Sequence, residues 1–228
     1  MSADPLLLWQ LIDSAFPAGG LSHSAGLEAT WQIGEIDSSA DVQAFVRTYI
    51  VQQGRAMLPF VGEAFDAMQL SDIPTMELID QACDALLTNH VANRASRSQG
   101  KAMLSAVWRV GLGAESLAAL EKQVLTGNTT AHFAVMFGAI GAAVGLSREE
   151  TGMGFLFVST RAVLSAAVRV GRLGPFEAQT MQHHLRGHIL DVARVCSSVG
   201  IEDAFSTAPL MELAGAMQDR LYSRLFVS

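Results

Sequence analysis

SREETGMGFLFVSTRAVLSAAVRV, residues 147–170, carries both the start signal and the body of a long helix. Ser147 followed three residues later by Glu150 has the spacing of a capping box, in which the two side chains satisfy backbone N–H groups that a helix start leaves open. The apolar run that follows predicts a helix to about Val170. Arg161 and Arg169 lie eight apart within it, hence near one face. A charge in apolar surroundings must be paired or hydrogen-bonded, and the partner is either this chain or another protein.

The same helical periodicity extends outward in both directions. Upstream, the run Ala134 to Leu146 carries Gly138, Gly141 and Gly145 at helical spacing, where a missing side chain lets helices approach closely. Arg94 to Val110 reads as a helix, as does the stretch marked by Leu117, Leu120 and Val124 that stops at Gly127-Asn128. Pro74 to Asn89 carries the stripe Met76, Ile79, Cys83, Leu86 and Leu87, and Phe60 to Leu70 precedes it. Ser39 or Asp41 can cap a helix through Val42, Phe45, Val46, Tyr49 and Ile50, which must end or kink near Arg55 because Pro59 follows. Two short helices, Pro5 to Ile12 and about Ser24 to Gln32, flank a break at Phe16-Pro17-Ala18-Gly19-Gly20. Downstream, Gly174-Pro175 opens a helix to about Ser198, and a last amphipathic stretch follows Pro209. About ten helices and no alternating strand pattern predict an all-α fold, a single compact bundle-like domain over 1–228.

Composition narrows the function. Half of the residues are apolar and 16% are charged, against about 25% charged in an average domain. Such a chain is not disordered. With 15 Lys+Arg against 22 Asp+Glu and no basic run, it is no nucleic-acid binder. The continuous apolar part of Ala134–Leu146 falls short of the ~20 residues of a membrane span. Met1 to Trp9 lacks a basic leader region, and Cys83 and Cys196 form no CxxC pair. A soluble, cytoplasmic protein is expected, with apolar surface left for a protein partner.

Candidate chemistry is sparse. No GxxxxGK[ST] phosphate loop occurs, so the chain should not hydrolyse nucleotide by itself. Ser22-His23 lacks the preceding strand of a hydrolase elbow and reads first as capping for the helix that follows. His184 and His188 are i and i+4, with Asp191 three further on, so they share a face that suits Ni²⁺ or Zn²⁺ or, more plainly, forms a polar solvent-facing stripe. Arg94, Arg97 and Lys101 form a basic face. The end, Leu221-Tyr222-Ser223-Arg224-Leu225-Phe226-Val227-Ser228, is too apolar for a free terminus. It either folds back or docks on another protein.

One stretch is more specific. Asp13-Ser14-Ala15-Phe16-Pro17-Ala18-Gly19-Gly20-Leu21-Ser22-His23-Ser24-Ala25-Gly26-Leu27-Glu28 resembles the opening motif of the UreF family of urease accessory proteins. Arg94-Ala95-Ser96 through Gly100, His132-Phe133-Ala134-Val135 with Gly138, Ser165-Ala166-Ala167-Val168-Arg169 with Leu173-Gly174 and Gln179, and Tyr222-Ser223-Arg224-Leu225-Phe226 resemble further family segments in the expected order. Departures stand at Arg172, Pro175 and Ala178, and at Gln218-Asp219, where the family commonly has His-Glu.

The resemblance implies an all-α, dimerising, non-enzymatic chaperone. It would bridge UreD/UreH to the GTPase UreG for nickel insertion into apo-urease, with nickel as cargo, GTP used by the partner and no cofactor held stably. It implies family-motif positions at Ser14, Phe16, Pro17, Gly19, Gly20, Ser22, His23, Gly26 and Glu28, and it moves the tail toward partner docking through Tyr222, Arg224, Leu225 and Phe226, with Arg169 beside them. The competing reading is an autonomous metal-dependent or hydrolytic enzyme built on His184, His188 and Asp191 or on Ser22 and His23.

Overall fold

The computed structural model describes residues 5–20 and 23–227. Among them are eleven α-helices and no strand. The first three are α1 (Pro5–Ile12), α2 (Leu27–Gln32) and α3 (Ser39–Gln52). Then come α4 (Leu58–Gln69), α5 (Ile73–Leu86), α6 (His90–Arg109) and α7 (Ala114–Thr126). The last four are α8 (Phe133–Ala143), α9 (Arg148–Arg169), α10 (Pro175–Cys196) and α11 (Pro209–Ala216).

Local chemistry sets the boundaries. The capping box at Ser147 forms as expected, with the Ser147 hydroxyl accepting from Glu150 N and Glu150 Oε2 accepting from Ser147 N. The cap of α3 is Ser38 rather than Ser39 or Asp41, because Asp41 stands at the third helical position and its carboxylate returns to Ser38 N at 2.9 Å. The kink expected near Arg55 is a π-helical turn, Gln53–Met57, which absorbs the missing N–H of Pro59 and joins α3 to α4. Helix α6 starts at His90, ahead of the expected Arg94, because Asn89 Oδ1 caps Val91 N and Ala92 N. Helix α2 starts only at Leu27, since Ala25 and Gly26 have positive φ.

Helix α9 is buried at the centre and packs against α1, α2, α3, α4, α8 and α10. It is also the one helix among the described residues long and apolar enough to cross a membrane by length and composition. Its apolar character is spent on Phe155, Leu156, Val163, Leu164 and Ala167, all in the core. Phe133, Phe137 and Phe155 form a triangle with ring centroids 5.7 to 5.8 Å apart, a spacing typical of favourable aromatic packing.

The glycines of α8 divide in role. A Cβ on Gly138 would overlap the Val61 carbonyl of α4, and one on Gly141 would overlap the Thr151 side chain of α9. Gly145 is not a packing glycine: its φ is +83° with open space around it, so it ends the helix in the left-handed conformation. Gly138→Ala is therefore expected to cost about 1–3 kcal/mol through overpacking. Thermal denaturation checks this, and a Tm within a degree of wild type would contradict the close crossing of α4 and α8.

Candidate functional site: a clasp between the N-terminal motif and the C-terminal segment

Glu28, in the first turn of α2, is buried at 1% exposure. Its Oε1 accepts from Leu225 N at 2.7 Å, and its Oε2 accepts from Gln218 Nε2 at 2.6 Å and from Phe226 N at 3.2 Å. A single side chain thus binds two consecutive backbone N–H groups of the C-terminal segment. It reaches them because Gly26, in the left-handed conformation, lets α2 start against α11, with Gly26 and Gly215 close enough that a Cβ on Gly26 would lie 3.2 Å from Gly215 Cα. Between these bonds Phe226 inserts into the core, and the Arg169 guanidinium lies 4.3 Å above its ring. Arg169 is exposed in the last turn of α9 rather than enclosed by apolar side chains, and this cation–π contact ties it to its own chain.

A second anchor lies outside. Asp219 accepts from Arg94 through both oxygens at 2.9 and 3.1 Å and from Arg224 at 3.3 Å, with His90 Nε2 at 3.3 Å. The Arg94 and His90 contacts hold its carboxyl below the usual aspartate range. The segment is therefore held from both sides: Glu28 inside, and the cationic face of α6 outside. Tyr222, Leu225 and Val227 point away from both anchors and are exposed, Tyr222 fully. The outer face of α11 adds exposed Leu210 and Leu213, and Met217 just after its end is exposed too.

The first half of the N-terminal motif does something different. Ser14, Pro17 and Gly19 are exposed, and Phe16 and Gly20 half-buried, along the wall of a cavity of about 350 Å³ that Tyr49, Phe133, Phe155 and Arg161 also line. Asp13 Oδ1 accepts from Ala15 N and sets the turn at its mouth. His23 is buried beside the cavity, and burial, aided by the Arg94 charge, pushes its pKa down. Arg161 reaches the Ile12 carbonyl at the end of α1 and lies 5.9 Å from the centre of the Phe157 ring.

His132 and its neighbours are held by a group that sequence reading missed. Asp80, buried on α5, accepts from Thr130 N, Thr130 Oγ1 and Ala131 N through Oδ2, and from His132 N through Oδ1, all within 3.2 Å. The His132 ring then spans Ser96 Oγ at 3.1 Å and Asp84 Oδ1 at 3.0 Å. The ionised Asp84 can only accept, so His132 Nε2–H donates to it, while Ser96 Oγ also accepts from Phe133 N. Hydrogen bonds from Asn93 and then His132 hold Asp84 below the usual range. The sequence did carry a signal for Asp80: it falls within the apolar stripe of Met76, Ile79 and Cys83, where a carboxylate needs internal donors.

The metal reading of α10 does not assemble. His184 and Asp191 are exposed, Asp191 pairs with Arg194, and the half-buried His188 has Nε2 3.3 Å from the Arg47 carbonyl. Among the described residues no group of three or more His, Cys, Asp or Glu is placed to hold a metal ion. Ser22 lies outside the described residues.

Comparison with known proteins gives the clasp its context. A family model described as UreF matches residues 36–186. The chain is 35% identical over 219 residues to urease accessory protein F of Oryza sativa subsp. indica, covering 96% of this chain and 83% of that protein. It is 34% identical over 221 residues to urease accessory protein F of Arabidopsis thaliana, covering 96% and 91%. The chain belongs to the UreF family of urease accessory proteins. A bacterial member, urease accessory protein UreF of Trichodesmium erythraeum (strain IMS101), is 27% identical over 230 residues, covering 99% and 97%.

Against the family pattern, the departure at Gln218-Asp219 falls on the clasp itself. Gln218 supplies the amide N–H to Glu28, and Asp219 supplies the outer anchor. Pro175 occupies the first position of α10, Ala178 is buried, and Arg172 lies 5.0 Å from the centre of the Trp31 ring. Of the residues expected to meet a partner, Phe226 is buried and engaged by Arg169, while Tyr222, Arg224 and Leu225 are accessible.

Proposed function

We propose that this protein is a non-enzymatic scaffold of urease maturation. It bridges UreD/UreH and the GTPase UreG, acts as a dimer, and supports GTP-dependent nickel insertion into apo-urease, with nickel as cargo and GTP consumed by the partner. The observation that carries this reading is the clasp: a C-terminal segment tied down at Glu28 and Asp219 while Tyr222, Leu225 and Val227 face outward. Ordering a segment before binding removes entropy that docking would otherwise cost, and tyrosine and arginine are favoured at the energetic centres of interfaces. Arg224 flanks these side chains and adds a charged contact. The exposed half of the N-terminal motif, on the cavity wall, offers a separate surface for a second partner.

Co-expression with UreD and UreG, followed by affinity capture and mass determination, tests the assignment. Tyr222→Ala combined with Leu225→Ala is expected to lower UreD capture at least tenfold. Arg224→Ala is expected to weaken it in the same direction. Both should leave Tm within a few degrees, because exposed side chains and exposed ion pairs contribute little to stability. Undiminished capture by the double variant would sink the tail assignment.

A further inference from the structure

Between α9 and α10 runs a second groove of about 250 Å³. From α9 it is lined by Arg161, Ser165 and Arg169, which recur every four residues and so share one face. From α10 it is lined by Ala178, Gln179 and Gln182. The polar groups are two guanidiniums, two carboxamides and a hydroxyl. No Asp or Glu is among the described lining residues. In a chain of formal net charge −7 this is an unusual concentration of donors. The nearest acid of the α10 start, Glu177, is turned to its own helix cap, accepting from Gly174 N at 3.3 Å.

One atom points to the chemistry of a ligand. Gln182 Nε2 is buried and has no hydrogen-bond partner among the described residues. A buried N–H without an acceptor is costly, and the lining around it supplies mainly further donors. Arg161 is half-buried, with the Ile12 carbonyl and the Phe157 ring as neighbours; burial draws its pKa down and the Asp13 charge acts against that. Its five N–H donors exceed what a single carbonyl takes up. Arg169 contributes charge to the wall while its plane is fixed over Phe226.

We infer that the α9–α10 groove binds a small oxyanion, a carboxylate or phosphate, through Arg161 and the Gln182 amide, with Ser165 and Gln179 as further donors. Charge-assisted hydrogen bonds of this kind are about twice as strong as neutral ones, and the groove has room for inorganic phosphate or acetate. The inference does not depend on the scaffold reading, since the isolated chain is sufficient for binding.

The purified protein is titrated with sodium phosphate and, separately, sodium acetate, against sodium chloride at matched ionic strength. Tm and the side-chain amide ¹H–¹⁵N resonances of Gln182 are followed. At least one of the two anions should give a saturable Tm rise and a saturable shift of those resonances, with chloride giving neither. Arg161→Gln and Gln182→Leu should each weaken the response at least tenfold. Gln182→Leu, which removes the orphaned donor at similar volume, should itself keep or raise Tm, so it tests the site even if Arg161→Gln fails to fold. Phosphate and acetate acting only as chloride does, or Gln182→Leu responding like wild type, would overturn the inference.

Discussion

Glu28→Ala is expected to release the C-terminal segment and to destabilise the whole protein. The substitution strips the acceptor from Leu225 N and Phe226 N at once and leaves Gln218 Nε2 only the Phe226 carbonyl at 3.4 Å. Each buried donor left without a partner costs about 1–3 kcal/mol. Partial access of water to Leu225 brings the total toward about 3 kcal/mol or more, a fall of roughly 6–12 °C in Tm for a domain of this size. Amide exchange at Leu225 and Phe226 should accelerate more than that of the α9 core, because the segment lets go locally before the bundle opens. Glu28→Gln should fall between, since it keeps an acceptor oxygen but turns an N–H group toward existing donors. Phe226→Ala provides the comparison: it removes the ring from beneath Arg169 but leaves both backbone bonds to Glu28. If Glu28→Ala leaves exchange at residues 225 and 226 at the wild-type rate, the clasp does not hold the segment. Under the proposed scaffold function, UreD capture by Glu28→Ala, at a temperature where the variant remains folded, should fall as the segment loses its order.

Asp80→Ala should be more severe still. Four donors around residues 130–132 lose their acceptor together, and Ala131 is held there at φ +65°, a conformation costly for a residue with a Cβ. The start of α8 and the placement of the His132 ring between Ser96 and Asp84 depend on that loop. A loss of about 4 kcal/mol or more is expected, enough to leave little of the 5–15 kcal/mol by which domains are stable. Urea denaturation measures it, and low yield of folded protein is the same outcome in stronger form. His132→Ala should cost less, because the backbone bonds to Asp80 survive. A Tm for Asp80→Ala within about 3 °C of wild type, roughly 1 kcal/mol, would show that the loop does not depend on this carboxylate.

Much of the fold was legible in the sequence, and the reasons are local. Ser147 and Glu150 announce α9 because a capping box is a contact between residues three apart. Gly174-Pro175 announces α10 in the same way, and Pro59 forces a break that takes the form of the π turn at Gln53–Met57. The misplacements are also local. Ser38 caps α3 where Ser39 and Asp41 competed for the role, and Gly145 looked like a packing glycine although its φ is positive. Periodicity places residues on a face but does not say where a helix turns left-handed.

The site was less legible. The motif from Asp13 to Glu28 stood out as a unit, yet it divides into an exposed part on a cavity wall and a buried part that grips residues nearly two hundred positions away. His184, His188 and Asp191 share a helix face by spacing, but spacing along one helix cannot supply converging neighbours: His188 turns to the Arg47 carbonyl, Asp191 to Arg194, and His184 is exposed.

The sequence by itself determined the helical class, the main helix starts and stops, and family membership through its motifs. Each is written in residues close along the chain or in an ordered series of short segments. Only the tertiary structure decided that Phe226 is a core residue while Tyr222 and Leu225 stay outside, and that Glu28, Gln218 and Asp219 share one task. It also decided that Asp80 organises a loop fifty residues on. Those are contacts between distant parts of the chain, and a buried polar group reveals its role only when its partners are packed around it.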